Sequence, residues 1–198
     1  MIKNDRWIRK QGPNMIFPFT ETLIREIPND TPYDMIRAIS YGTTSYGYDL
    51  RLSEKDFRIF KHIPGKIVDP KNFDPDLLEI VEPKQDHTGI FFVFPAYSYA
   101  LGVSRERLTL PTNITVISTG KSTYARLGII VNITPFEAGW CGHPTLEFYN
   151  ALPVPVKLYA DEGICQCAFF EGEPCEVSYE DRKGKYQNQP ESVVLARV

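Results

Sequence analysis

The 198-residue sequence contains no apolar run long enough to cross a lipid bilayer, which takes about 20 residues in a helix. Its most apolar stretches, such as residues 89–94 and 128–131, are only a few residues long. The first ten residues mix charged and apolar side chains and lack the apolar centre of a secretory signal. The sequence therefore predicts a cytoplasmic protein that does not bind a membrane.

A basic excess is also missing, because 22 Lys and Arg residues face 25 Asp and Glu residues, for a net charge of −3. Proteins that bind nucleic-acid polymers usually carry a strong positive excess, so we expect no such partner. An anionic small molecule remains compatible with this total, since a pocket needs only a few local cations.

Cysteine is scarce, and its four copies all lie in the C-terminal third of the chain, at Cys141, Cys165, Cys167 and Cys175. A metal site would have to recruit Cys165, Cys167 and His143. A Cys-x-Cys pair with a single His lacks the paired spacing of a zinc site. We therefore expect the cysteines to be small buried apolar side chains and predict no protein-bound metal.

Glycine and proline are plentiful, at 13 and 16 residues, and 13% of the chain is aromatic. This balance favours many short strands joined by tight turns. We predict one domain, residues 1–198, that is mainly β: an antiparallel barrel or sandwich with a few short helices. The predicted strands are residues 45–52, 57–61, 77–81, 89–94, 97–103, 113–118, 128–133, 145–150, 154–159 and 164–170. Helical segments are predicted at about residues 3–11 (capped by Asn4 or Asp5), around 33–38 and at 121–126.

Residues 118–123, Ser-Thr-Gly-Lys-Ser-Thr, are similar to the end of a phosphate-binding P-loop, but that motif needs a glycine at position 115, where Thr115 stands. A P-loop is therefore rejected. Gly120 still allows close approach to a ligand, while Lys121 and Arg126 offer charge and donors suited to phosphate. The alternative is an ordinary surface turn.

Glu147 lies in an otherwise apolar strand, where a carboxylate is costly unless it is paired or functional. It is either a solvent-facing residue, since Leu146 and Phe148 point to the opposite face, or a pocket residue with a raised pKa that suits proton transfer. The polar tail from about residue 179 to 198 has the same two interpretations: a frayed terminus, or a lid over an anionic ligand.

Six segments, taken in order along nearly the whole chain, resemble the dCTP deaminase family. They are residues 45–51 (SYGYDLR), 120–126 (GKSTYAR), 128–137 (GIIVNITPFE), 145–148 (TLEF), 160–164 (ADEGI, followed by Gln166) and 177–186 (VSYEDRKGKY). The resemblance implies the fold of trimeric dUTPases and a homotrimer with active sites between subunits. It also implies hydrolysis of dCTP to dUTP and ammonia with Mg²⁺ carried on the triphosphate and no zinc, with dTTP as a possible inhibitor. The sequence indeed lacks the His-x-Glu and Pro-Cys-x-x-Cys pattern of zinc deaminases.

The resemblance also implies roles for individual residues. Glu147 would be the general base and acid, and Ser122 and Arg126 would bind substrate and order the reacting water. The complete set of implied substrate-binding residues is Lys121, Ser122, Thr123, Tyr124, Ala125, Arg126, Thr145, Leu146, Glu147, Gln166, Tyr179, Lys185 and Gln189. Of these, Tyr179, Lys185 and Gln189 belong to the tail that would fold over the triphosphate.

Two stretches depart from the family pattern: residues 138–144 (AGWCGHP), and Pro190-Glu191 after Gln189, where the family usually has a glycine. Proline restricts the residue before it, so lid closure is the step that this change affects. A dUTPase is disfavoured because residues 134–137 (TPFE) offer Glu instead of its Asp. A bifunctional enzyme that cleaves the dUTP to dUMP stays open, as does a non-catalytic nucleotide-binding regulator, although retention of Glu147 with Ser122 and Arg126 argues against the regulator.

Overall fold

A computed structural model describes residues 1–28 and 34–198. The N-terminal helix α1 is Asp5–Met15 and a second, short helix α2 is Ser122–Ala125. The strands are β1 Ile16–Phe17, β2 Ile24–Pro28, β3 Met35–Thr44, β4 Gly47–Phe60, β5 Leu78–Ile80, β6 Lys84–Asp86, β7 Gly89–Phe94, β8 Tyr99–Ser104, β9 Arg107–Thr109, β10 Ile114–Gly120, β11 Ile129–Asn132, β12 Cys141–Gly142, β13 Thr145–Asn150, β14 Val156–Tyr159 and β15 Gly163–Glu171. A 3-10 turn, Pro75–Leu77, precedes β5.

The strands form one large and two small antiparallel sheets. The large sheet has the order β10-β15-β4-β8-β13-β11, with β2, β3 and β5 attached at its sides. The small sheets are β1-β9-β12 and β14-β7-β6. The prediction of a mainly β, antiparallel fold with few short helices is confirmed.

The main hydrophobic core of the described residues lies inside these sheets, and alternation along the strands supplies it, while Leu78, Leu101 and Val193 form a second, small cluster. In β13, for example, Leu146 and Phe148 are fully buried while Glu147 lies on the opposite face. The largest fully buried side chains come from elements across the chain: Ile8, Ile16, Tyr48, Leu50, Leu52, Phe57, Phe92, Phe94, Leu108, Tyr124, Phe148 and Phe169.

Helix α1 begins as predicted, with the Asn4 side chain accepting a hydrogen bond from the Trp7 amide at 3.2 Å. It continues to Met15 instead of ending near residue 11, even though Pro13 lies inside it. The buried face of Ile8, Gly12 and Met15 accounts for the extension. At Gly12 a Cβ would overlap the Phe19 ring, so a larger side chain at this position would force that ring to move.

Two secondary-structure predictions are wrong. The helix predicted around residues 33–38 is strand β3 from Met35 onward, because Ile36 and Arg37 pair with β2; residue 33 lies outside the described residues. The break predicted between residues 52 and 57 is absent, and β4 runs through it with an irregularity in its pairing to β8. The polar side chains there looked like a turn, but Ser53 and Asp56 are buried and bond the C-terminal segment.

The cysteine thiols are all free; Cys141, Cys165 and Cys167 are buried, as expected, whereas Cys175 is exposed. Burial raises the pKa of the Cys165 thiol to about 12, which makes it unreactive. Among residues 1–28 and 34–198 no helix is long and apolar enough to span a membrane.

Candidate active site

A cavity of about 770 Å³ lies between β13, the loop that follows β11 and the C-terminal tail. Its walls are mostly apolar, with side chains from Phe60, Phe73, Leu101, Ile133, Phe136 and Trp140. Five predicted site residues also line it: Thr145, Glu147, Tyr179, Lys185 and Gln189. Apolar walls with a few convergent polar groups are typical of a small-molecule site.

Glu147 reaches this cavity because of its register in the sheet. It lies in β13 between Asn132 of β11 and Leu101 of β8, with its neighbours in the chain facing the core. Its Oε2 atom is buried and has no hydrogen-bond partner among the described residues. Burial raises the pKa of Glu147 from 4.5 to about 7, so the carboxyl can both accept and return a proton near neutral pH.

The tail from Ser178 onward folds back over the cavity and is not a frayed terminus. The Tyr179 amide donates to the Ala138 carbonyl at 2.9 Å, and the Trp140 indole donates to the Tyr186 carbonyl at 2.9 Å. Within the tail, the Tyr186 amide donates to the Tyr179 hydroxyl at 3.0 Å. The tail therefore has its own tight turn, which brings Tyr179 and Lys185 to the same cavity.

Residues 138–144, for which the sequence predicts a departure from the family pattern, form the platform for this tail. Gly142 has φ +143°, and a Cβ there would lie 2.6 Å from the Gln189 amide nitrogen. The His143 amide donates to the Gln189 carbonyl at 3.0 Å, and the Asn188 amide donates to the Cys141 carbonyl at 2.8 Å. The departure thus lies at the contact between body and tail.

Thr145 joins the platform to the reactive strand. Its hydroxyl donates to Gln189 Oε1 at 2.9 Å and accepts from the Val194 amide at 3.3 Å. Since Thr145 lies two residues before Glu147 on the same face of β13, the tail is fastened directly beside the candidate proton-transfer group.

A second group of predicted residues lies outside this cavity, around the start of α2. Ser122, Thr123, Ala125 and Arg126 are exposed there, and within residues 1–28 and 34–198 the Arg126 guanidinium makes one long hydrogen bond, 3.4 Å, to the Ser122 carbonyl. Such free hydroxyl and guanidinium groups are available to bind an anion.

Tyr124 and Leu146 are both in the core, so only their backbone atoms are available to a ligand. The Tyr124 hydroxyl accepts a hydrogen bond from the Tyr159 amide at 2.9 Å, and burial raises its pKa well above the usual value. Tyr124 therefore anchors α2 to the body of the protein.

Lys121 pairs with the buried carboxylate of Asp49, a residue that the sequence analysis did not single out. Gln166 donates to the other oxygen of Asp49 at 3.0 Å and also to the Thr44 hydroxyl at 3.2 Å. Burial raises the pKa of Asp49, while the Lys121 ammonium opposes that shift. The sequence signal for the pairing of Asp49 with Lys121 was an Asp within a predicted strand, residues 45–52, in which apolar and polar residues alternate.

The lining of the cavity includes none of residues 121–126 and not Gln166. One chain therefore presents the predicted site as two separate groups, one around Glu147 and the tail and one around Lys121 and α2. Among the residues that the structure describes, no cluster of three His, Cys, Asp or Glu side chains could hold a metal ion.

Comparison with known proteins gives consistent matches. The family model described as dCTP deaminase-like matches residues 22–172. The dCTP deaminase of Acidobacterium capsulatum is 49% identical over all of this chain and 99% of its own length. The dCTP deaminase of Dechloromonas aromatica is 46% identical over all of this chain and 99% of its own length. The dCTP deaminase of Neisseria gonorrhoeae is 48% identical over 95% of this chain and 95% of its own length. A solved 2'-deoxycytidine 5'-triphosphate deaminase from Agrobacterium tumefaciens has a TM-score of 0.55 and 17% identity, covering 86% of this chain and 48% of that one. This last likeness concerns the fold alone.

Proposed function

Because the chain belongs to the dCTP deaminase-like family, we propose that it hydrolyses dCTP to dUTP and ammonia, with Glu147 as general base and acid. One observation carries the role of Glu147. Its half-buried carboxyl, whose pKa burial raises to about 7, faces a largely apolar cavity of about 770 Å³, and its Oε2 atom has no hydrogen-bond partner among the described residues. A carboxyl with this pKa takes a proton from water and returns it at neutral pH without a metal ion.

The reaction balances around this one group. Glu147 removes a proton from the water whose oxygen bonds to C4 of the cytosine ring, and it delivers that proton to N3. Glu147 then takes the second proton from the C4 hydroxyl of the tetrahedral intermediate and passes it to the amine, so the C4–N bond breaks and ammonia leaves. The oxygen of the water remains as O4 of uracil. In this scheme Mg²⁺ enters with the triphosphate as part of the substrate.

The remaining residues bind and orient the substrate in this proposal. Ser122 and Arg126 order the reacting water. The other contacts come from Lys121, Thr123, Tyr124, Ala125, Thr145, Leu146, Gln166, Tyr179, Lys185 and Gln189, through backbone atoms where the side chain is buried. The Arg126 guanidinium and the Lys185 ammonium would supply positive charge for the triphosphate in spite of the net charge of −3, whereas the Lys121 ammonium is already paired with Asp49.

We propose that the working enzyme is a homotrimer whose sites are shared between subunits. The supporting observation is the separation of the Glu147 group from the Arg126 group in one chain. A neighbouring subunit that supplies α2 would complete the cavity of the first, as symmetric oligomers allow.

Subunit mixing tests the shared site. Glu147→Gln and Arg126→Ala should each be inactive alone. Randomly mixed trimers, refolded or coexpressed at equal amounts, should regain about one quarter of the parent activity, because one site in four pairs an intact Glu147 with an intact Arg126. Activity no higher than that of the two separate variants would overturn the shared site.

The activity itself is tested by incubating the purified protein with dCTP and Mg²⁺ and measuring nucleotides, ammonia and pyrophosphate. Ammonia with dUTP supports the proposal. Pyrophosphate with dUMP would support the bifunctional alternative, and tight dCTP binding without turnover would support the non-catalytic regulator. Adding dTTP to the same assay tests whether it inhibits.

A further inference from the structure

The chain beyond Gln189 is fastened to strand β4 by Glu191. The buried Ser53 hydroxyl donates to Glu191 Oε1 at 2.8 Å, and the Lys55 ammonium pairs with Oε2. The Arg105 guanidinium lies 3.8 Å from Oε1. One carboxylate thus ties the tail to three side chains of the body.

The residues after Glu191 continue the attachment. The Val193 amide donates to Asp56 Oδ2 at 2.9 Å, and that carboxylate is itself held by the Arg58 guanidinium at 2.7 and 2.8 Å. The Val193 side chain is buried, and Val194 and Ala196 line the cavity. Residues 189–196 therefore form a strap, which crosses the body of the protein and serves as a wall of the site.

The strap is attached on both sides of Glu191 to the same hydroxyl group. The Thr145 hydroxyl donates to Gln189 Oε1, and the same hydroxyl oxygen accepts a hydrogen bond from the Val194 amide. Pro190 disfavours helical geometry for Gln189, which agrees with the bridge that Gln189 forms with Gly142. Pro190 and Glu191 together direct the chain from the platform at Gly142 to its anchor on β4.

We propose that Glu191 is a positioning residue, which anchors residues 189–196 to β4 and so holds Gln189 and the Val194 wall over the substrate cavity. The lid is then a loop attached at both ends, not a free C-terminal flap. Because the strap places binding groups, and because Glu147 Oε2 has no hydrogen bond to any residue that the structure describes, loss of the strap weakens substrate binding more than it slows the chemical step. The kinetic part of this inference rests on the proposed function.

The test compares Glu191→Ala and Glu191→Gln with the parent enzyme, using Glu173→Ala as control, since Glu173 is exposed on the loop after β15. In Glu191→Ala we expect the KM for dCTP to rise about tenfold, while kcat changes less than about threefold. Glu191→Gln keeps an acceptor for Ser53 but loses the ion pairs, so its KM should lie between the two.

Amide hydrogen exchange gives a readout that needs no activity. The amides of Asn188, Val193 and Val194, which are bonded in the attached strap, should exchange about tenfold faster in Glu191→Ala than in the parent. An unchanged KM and unchanged exchange in Glu191→Ala would overturn the inference, as would a fall in kcat at constant KM. If the parent does not turn over dCTP, the proposed function fails, and the exchange rates alone decide whether Glu191 anchors the strap.

Discussion

Replacing Glu147 with Gln is the most direct test of the chemistry, because it keeps the size of the side chain and removes the titratable carboxyl group. Positioned general acids and bases contribute about 10²- to 10⁴-fold to rate. Here one group would serve several proton transfers. Among the described residues that line the cavity, the other carboxyl group belongs to Glu137, which is paired with Arg182. We therefore expect kcat to fall by at least about 10³-fold, equivalent to about 4 kcal/mol of transition-state stabilisation.

The same substitution should also change the free energy of unfolding, and the raised pKa of Glu147 determines whether the protein becomes more or less stable. Native Glu147 binds its proton more tightly than the unfolded chain does, with a pKa of about 7 against 4.5. The stability that this group contributes is therefore fully present below about pH 4.5 and is lost as pH rises through 7. The loss is at most about 3 kcal/mol for a shift of this size, at 1.36 kcal/mol for each pH unit. Glu147→Gln cannot ionise and does not undergo this loss. The difference in the free energy of unfolding between the variant and the parent should therefore shift in favour of the variant between pH 5 and pH 8.

The assays are steady-state deamination of dCTP from pH 5.5 to 9 and denaturant unfolding at pH 5 and pH 8. In the parent, kcat/KM should rise with pH through an ionisation near 7, as expected for a base that must be a carboxylate in the free enzyme. Glu173→Gln serves as the matched control for charge removal at an exposed site. Activity of Glu147→Gln within tenfold of the parent, or identical pH dependence of stability in both proteins, would refute the assignment.

Two further predictions concern the frame around the site. Asn150→Ala should lower the free energy of unfolding by about 3 kcal/mol, measured with denaturant, because the buried amide donates to the Pro95 and Val154 carbonyls at 2.8 and 3.0 Å and accepts from the Leu152 amide. A decrease in the free energy of unfolding below about 1 kcal/mol would contradict the view that these buried hydrogen bonds of Asn150 stabilise the fold. Tyr124→Phe should cost about 1–2 kcal/mol, seen as a lower Tm, because it leaves the Tyr159 amide without its acceptor. An unchanged Tm would show that water replaces the hydroxyl.

Local alternation predicted most of the strands, because each exposes one face and buries the other. It predicted β13 to the residue and placed Leu146 and Phe148 in the core. It failed where distant residues decide the conformation. The polar run inside β4 looked like a turn because Ser53 and Asp56 find their partners more than 130 residues later, in the C-terminal strap.

The site shows the same limit. Periodicity placed Glu147 on the face opposite the core, but it could not distinguish solvent from a pocket, because the tail supplies one wall of that pocket. Lys121 was expected to be a free cation for phosphate. In the structure it is paired with Asp49, 72 positions earlier in the chain, and no local pattern reports such a contact.

The two stretches that were expected to depart from the family pattern show that motifs should be compared together, because residues far apart in the sequence meet in the site. Taken separately, residues 138–144 and Pro190-Glu191 are each a change beside the candidate lid. In the structure they meet, since Gly142 gives the space that Gln189 occupies and His143 bonds the Gln189 carbonyl. Pro190 then favours the extended backbone at that contact, and Glu191 ties the chain to β4 immediately after it. A glycine at this point of the tail would leave the backbone free, and it would cost more conformational entropy to order. The two stretches are thus consistent with each other, and under the proposed function they form a lid whose geometry is fixed before substrate arrives.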